Sequence, residues 1–169
     1  MAMVIFIKTN LYALAGMDKK GGIMKSIFLI DPTNTERKLK IMKTENTYES
    51  TRKFIGNTLT IAASFETSEI YAKESGIVAY DVYSDDEGLI NDPDCFFSVK
   101  CGDRVTQPIA GRGVIHATNS IGESVEIDPN WVILNLSFSM ATKNEPDQWN
   151  KIRNLYLKIY GDAYGIEEL

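Results

Sequence analysis

The chain has 169 residues, 44% of them hydrophobic and 24% charged, with 18 Lys and Arg against 23 Asp and Glu for a formal net charge of −5. That length and apolar share suit one globular domain and exclude a disordered tail or two cores of ordinary size. One histidine and two cysteines exclude thiolate and imidazole zinc chemistry, and the absence of both G-x-G-x-x-G and G-x-x-x-x-G-K-[ST] argues against ordinary nucleotide use.

The first residues, Met1 to Ile7, are apolar, but Lys8, Thr9 and Asn10 interrupt the run before Leu11 to Met17. That pattern fits neither a signal peptide nor a membrane span of about 20 unbroken apolar residues. Lys19-Lys20-Gly21-Gly22-Ile23 precedes Met24, and the Lys-Lys-Gly-Gly run can be encoded by a purine-rich string containing a bacterial ribosome-binding sequence. Met24 is therefore the expected start, with residues 1–23 as translated upstream sequence; the alternative is an extra N-terminal strand. Residues 24–169 are expected to form a single α+β domain.

Ile27 to Ile30 is a continuous apolar run that predicts a central strand, and Asp31-Pro32-Thr33-Asn34 predicts a turn. Lys38 to Ile41 alternates, which predicts a strand with one wet face, paired with the first as a hairpin. Asn46 as cap, with Glu49 three residues on, opens a short helix ending at Gly56-Asn57. Thr58 to Phe65 alternates with Leu59, Ile61, Ala63 and Phe65 inward. Ser68 to Ser75 suggests a helical turn, and Ile77 to Tyr83 a strand with Val78, Tyr80 and Val82 on one face. Ser84-Asp85-Asp86-Glu87-Gly88 reads as a turn.

Leu89-Ile90, Phe96 to Cys101, Gly113 to Thr118 and Val125 to Ile127 read as short strands. Cys95, Phe97, Val99 and Cys101 fall on one face, and the two thiols are too far apart along it to bridge, so both are expected reduced and buried, as in a cytosolic protein. Trp131 to Met140 alternates most cleanly and predicts a long strand. Asn144 as cap, Pro146 in the first turn, and Trp149, Ile152, Tyr156, Ile159 and Tyr160 at helical spacing predict an amphipathic helix stopped by Gly161. The order of elements predicts an α+β fold: a mainly antiparallel twisted sheet or partly closed barrel, with a short helix after the first hairpin and an amphipathic C-terminal helix.

Charge is unevenly distributed. Residues 1–65 carry a net +5, residues 66–103 a net −8, and residues 104–169 a net −2. Asp85, Asp86 and Glu87 in one turn, with Asp92 and Asp94 in the next, form an acidic middle. Three readings are open for it: a solvated loop pair, a binding surface for a basic partner, or a hard-cation site, whose spacing matches no familiar calcium loop. Around Gln107, the run Ile109-Ala110-Gly111-Arg112-Gly113 either presents backbone N–H groups and a guanidinium to an anion, or uses its glycines to supply positive φ in a tight turn.

Taken together, Asp85-Asp86-Glu87-Gly88-Leu89-Ile90, Phe96-Phe97, Gln107-Pro108-Ile109-Ala110-Gly111 leading into Gly113-Val114-Ile115, and Ser120-Ile121-Gly122-Glu123 resemble an uncharacterised family of phage, plasmid and integrated-element proteins, domain of unknown function 3846. The resemblance covers about residues 24–128. Ile109 stands where that family has Leu, and Arg112 departs from its pattern. The resemblance implies a mobile-element origin and no particular activity.

The expectation is a non-enzymatic accessory protein acting in the bacterial cytoplasm, without cofactor or metal. It would bind a protein with a basic surface, such as a nuclease, through Asp85, Asp86, Glu87, Asp92, Asp94, Gln107, Gly111, Arg112 and Gly113. The alternative is nucleic-acid binding or cleavage through Lys38, Lys40, Lys43, Arg52 and Lys53, with Arg104 and Arg112 adding to the surface. A third reading uses His116 as a catalytic base, against a structural role for the same side chain.

Overall fold

A computed structural model describes residues 23–35, 39–56, 58–88 and 93–164, with side chains described up to residue 155. Lys38, Asp92, the Leu89-Ile90 strand and residues 1–22 lie outside the described residues, as do the side chains of Tyr156, Ile159 and Tyr160.

The apolar run β1 (Lys25–Ile30) is buried on both faces and turns at Asp31 into β2 (Leu39–Thr44), its antiparallel partner. Asp31 holds that turn by accepting from the backbone N–H and hydroxyl of Thr33, at 3.1 and 2.6 Å. The helix α1 (Thr47–Ile55) starts where expected: the Asn46 side chain accepts from the Glu49 backbone N–H at 3.0 Å. The Glu49 carboxylate does not reach back to complete a capping box; it pairs with Lys53 at 2.9 Å, one turn on.

Next come β3 (Leu59–Glu66), α2 (Glu69–Ser75) capped by Ser68, β4 (Ala79–Asp85) and β5 (Cys95–Cys101). The short β6 (Arg104–Val105) and β7 (Ile109–Ala110) precede β8 (Gly113–Thr118) and β9 (Ser124–Val125). The chain closes with α3 (Pro129–Asn135), β10 (Leu136–Thr142) and α4 (Pro146–Tyr164). The fold is α+β, and every strand pair described is antiparallel. Among the described residues the strands form two open sheets and no barrel: β2-β1-β8-β4-β3 with β9 on β8, and β10-β5-β6 with β7 on β5.

The sheets face each other across the main core. Phe28, Ile30, Tyr80, Val82 and Ile115 come from the first sheet, and Phe97, Val99, Leu136 and Met140 from the second. On the outer face of the first sheet α1 covers Ile27, Leu29 and Val114 with Phe54 and Ile55. On the outer face of the second, α4 lays Trp149 and Ile152 against Phe96 and Ala110, with the Phe96 and Trp149 rings 4.9 Å apart.

Several expectations need correction. Ile61 is 52% exposed, because a bulge at Ala62 shifts the β3–β4 register and breaks the inward alternation of β3 ahead of Ala63. The strand expected from Ile77 begins at Ala79 and runs on through Ser84 and Asp85, which pair with Thr60 and Leu59 before the turn. Cys95 is buried, while Cys101 is only half-buried.

The Trp131–Met140 strand is in fact two elements. Asp128 caps α3 by accepting from Asn130 N–H at 2.9 Å, Pro129 takes the first helical position, and the chain extends only from Leu136. Val132 and Leu136 satisfy both a period of two and an i,i+4 helical step, but Leu134 between them is 82% exposed. Trp131 fixes the outcome by stacking on Tyr80 at 4.1 Å, a contact of roughly 0.5–1.5 kcal/mol beyond burial. Tyr71 donates to Asp128 and accepts from the buried Tyr80 hydroxyl, which ties α2 to α3. In the last helix Pro146 is the first residue and the Glu145 carbonyl accepts from Trp149 N–H, so Glu145 stands at the cap in place of Asn144. Gly161 does not stop this helix, which runs to Tyr164.

Candidate binding cleft

The two stretches singled out by their turn chemistry meet. A cleft of about 350 Å³ opens between the bulged end of the β3–β4 ladder and the segment from Arg104 to Ala110. Thr60, Ser84, Asp85 and Asp86 line one side, and Arg104, Thr106 and Gln107 the other. This is at the small end of the 300–1,000 Å³ typical of ligand pockets. Backbone proximity closes one end: a Cβ on Gly88 would sit 3.2 Å from the Ala110 carbonyl.

Each candidate residue has its own place here. The Asp85 carboxylate is consumed internally, accepting from Thr58 Oγ1 at 2.6 Å and from Glu87 N–H at 3.1 Å. Asp86 and Glu87 are exposed at the cleft mouth, and Asp94 is exposed just before β5. Ala110, beside Gly88, pairs with Phe96, so the Asp86–Glu87 turn and Asp94 sit at one end of the described structure. Among the described residues no cation forms a salt bridge with Asp86, Glu87 or Asp94.

Arg112 does not present an open anion site. Its Nε lies 3.2 Å from Asp31 Oδ2 and its Nη2 donates to Thr33 Oγ1 at 3.3 Å, which staples the Gly-rich turn to the first hairpin. Burial pushes the Asp31 carboxyl up, but the Thr33 hydrogen bonds and the Arg112 guanidinium outweigh it and hold the group below its ordinary value. Gly111 does adopt positive φ, at 79°. Gly113 does not; it leaves room for Phe97, whose Cε1 would lie 3.0 Å from an added Cβ, with Cζ nearer still.

Arg104 belongs to the cleft, not to a basic surface. Nη1 donates to the Ser64 carbonyl at 2.7 Å, and the guanidinium lies over the Phe65 ring at 5.4 Å from its centroid. The other cations are dispersed. Lys40 pairs with Leu29 on the face that α1 covers, whereas Lys43 pairs with Ser26 on the opposite face. Arg52 and Lys53 are exposed on α1, where Lys53 is engaged by Glu49.

His116 is 6% exposed. Thr51 donates its hydroxyl hydrogen to the Thr47 carbonyl at 2.7 Å, so at 2.7 Å from His116 Nε2 it accepts, which assigns the Nε2–H tautomer. Burial lowers the imidazole pKa to about 4 against a smaller opposing pull from Asp81, so the ring is neutral at physiological pH and shielded from substrate. Burial likewise pushes the Cys95 thiol up to about 12, far from a reactive thiolate. Among the described residues no three His, Cys, Asp or Glu side chains converge to hold a metal ion, and no helix is long and apolar enough to cross a membrane.

Nothing in the sequence pattern singles out Thr60 or Ser84. The signal available was parity, since Ser84 shares the inward phase of Tyr80 and Val82 on β4. Fold and site thus define an α+β protein whose described strands form two sheets, with a polar cleft at the β3–β4 end of the larger one. No protein-family description, curated protein or solved structure matches the chain.

Proposed function

We propose that the protein is a non-enzymatic accessory protein of a phage, plasmid or integrated element, acting in the bacterial cytoplasm by binding a protein with a basic surface. The turn landmarks shared with the mobile-element family support the origin. The observation that carries the binding reading is the cleft mouth: Asp86 and Glu87 stand exposed beside a formed cavity, with Asp94 at the same end and, among the described residues, no cation bridged to any of the three. Such a surface attracts cationic partners and repels phosphate backbones. The nucleic-acid reading gains less support, because Lys40 and Lys43 point to opposite faces of their sheet.

The test is affinity capture from a bacterial lysate by the full chain and by the Asp86→Asn/Glu87→Gln/Asp94→Asn variant. Capture of a basic protein, weakened at least tenfold by the variant and falling as salt rises, is the expected result. Equal capture by both chains removes the acidic surface from the reading, and a salt-dependent gel shift with duplex DNA favours the nucleic-acid alternative.

A further inference from the structure

Beside the cleft the larger sheet ends in β3, eight residues long, with β4 on one side and, among the described residues, no strand on the other. An edge strand presents a row of unpaired N–H and C=O groups, which extended peptides complete in many recognition domains. The 350 Å³ cavity lies between this end of the β3–β4 pair and the Arg104–Ala110 segment. One outward carbonyl of the edge already recruits a donor, since Arg104 reaches across to Ser64.

Two further features point to a ligand. Ser84 is 4% exposed and lines the cavity, setting a hydroxyl against it. The cleft is also electrically polarised along the strand. The Asp86 N–H bonds to Thr58 O at one end of β3, while Arg104 marks the Ser64 end. Asp81, the ladder partner of Ser64, lies five residues before Asp86, or about 17 Å along a strand.

We infer that the cleft receives an extended peptide segment of the partner, added as a strand to the β3 edge, with a Lys or Arg at the Asp86 end and an Asp or Glu, about five residues away, at Arg104. This rests on the protein-binding reading above and names how that partner is held. Backbone bonds to β3 supply affinity, and the two end charges set the direction of the peptide. The bulge at Ala62 limits the regular ladder to the stretches on either side of it.

The test is selection from a phage-displayed library of random linear peptides against the full chain. Enriched sequences are expected to carry a basic and an acidic residue about five positions apart, and a synthetic copy should protect the β3 amides from hydrogen exchange. Arg104→Glu should exchange the selected acidic residue for a basic one, a change of preference that unfolding cannot mimic. Ala62→Pro should weaken the selected peptide at least tenfold. No enrichment, or peptides that leave β3 exchange unchanged, overturns the inference. If lysate capture depends on Asp86 and Glu87 but ignores Arg104→Glu, the acidic surface stands and strand addition falls; if capture ignores both, both fall.

Discussion

The two faces of the larger sheet are built on different principles. The face toward the second sheet is almost wholly apolar, with Phe28, Ile30, Tyr80, Val82 and Ile115 meeting Phe97 and Val99. The face under α1 mixes a small apolar cluster, Ile27, Leu29 and Val114, with buried polar pairs: Thr51 with His116, and Thr118 with Asp81. Strand pairing places Asp81 directly opposite His116 on that face. The inter-sheet face should therefore answer to changes of volume, and the α1 face to protons. Cavity creation in a close-packed apolar layer costs energy at every pH, whereas a neutral buried imidazole is stable only while it stays unprotonated.

The largest expected effect is on the apolar side. Phe97 is 1% exposed and central to the inter-sheet core, so Phe97→Ala should cost about 3–5 kcal/mol, a large share of the 5–15 kcal/mol of a typical domain. Urea unfolding at pH 7 and pH 5 measures it, and the loss should be the same at both. A loss that grows toward pH 5 would mean that the two faces are coupled.

On the α1 side the probe is pH. The unfolded imidazole titrates near 6.5 and the folded one near 4, so the unfolded chain binds a proton in that window while the native one does not. Stability is thus complete above pH 6.5, falls as pH drops toward 4, and levels off below it, a loss of roughly 3 kcal/mol. Thermal midpoints of the wild type and His116→Gln, which keeps a donor for Thr51, should converge as pH falls from 7 to 4.5. Because the chain has one histidine, its ring resonances in NMR report the pKa without ambiguity. A value near 6.5 would contradict the buried, neutral assignment.

How much of this was legible in the sequence depends on the range of the interaction. Local chemistry was readable: the Asn46 cap, the Asp31 turn and the apolar run of β1 are fixed within a few residues. Trp131 misleads because its decisive partner, Tyr80, is 51 residues away, and alternation alone cannot separate a strand from one helical turn followed by a strand. Arg112 misleads in the same way, since a guanidinium between two glycines suggests an anion site until Asp31, 81 residues earlier, is found beside it. The cleft was half visible. Asp86 and Gln107 stand out by turn chemistry, whereas Ser84 and Arg104 join them only through the β3–β4 register and the bulge.

The finest division between volume and conformation lies within one turn. Gly111 and Gly113 flank Arg112 and look equivalent in sequence, yet a Cβ on Gly111 meets open space while one on Gly113 meets the Phe97 ring. Gly113→Ala therefore overpacks the inter-sheet face and should cost about 2 kcal/mol. Gly111→Ala pays only for a left-handed backbone, about 1 kcal/mol. Urea midpoints rank the two, and the double variant Gly113→Ala/Phe97→Leu separates the causes: a smaller side chain at 97 should relieve the added methyl and do nothing for Gly111→Ala. Equal rescue of both would mean that the turn moves as a unit and that the Phe97 contact is not what requires glycine at 113.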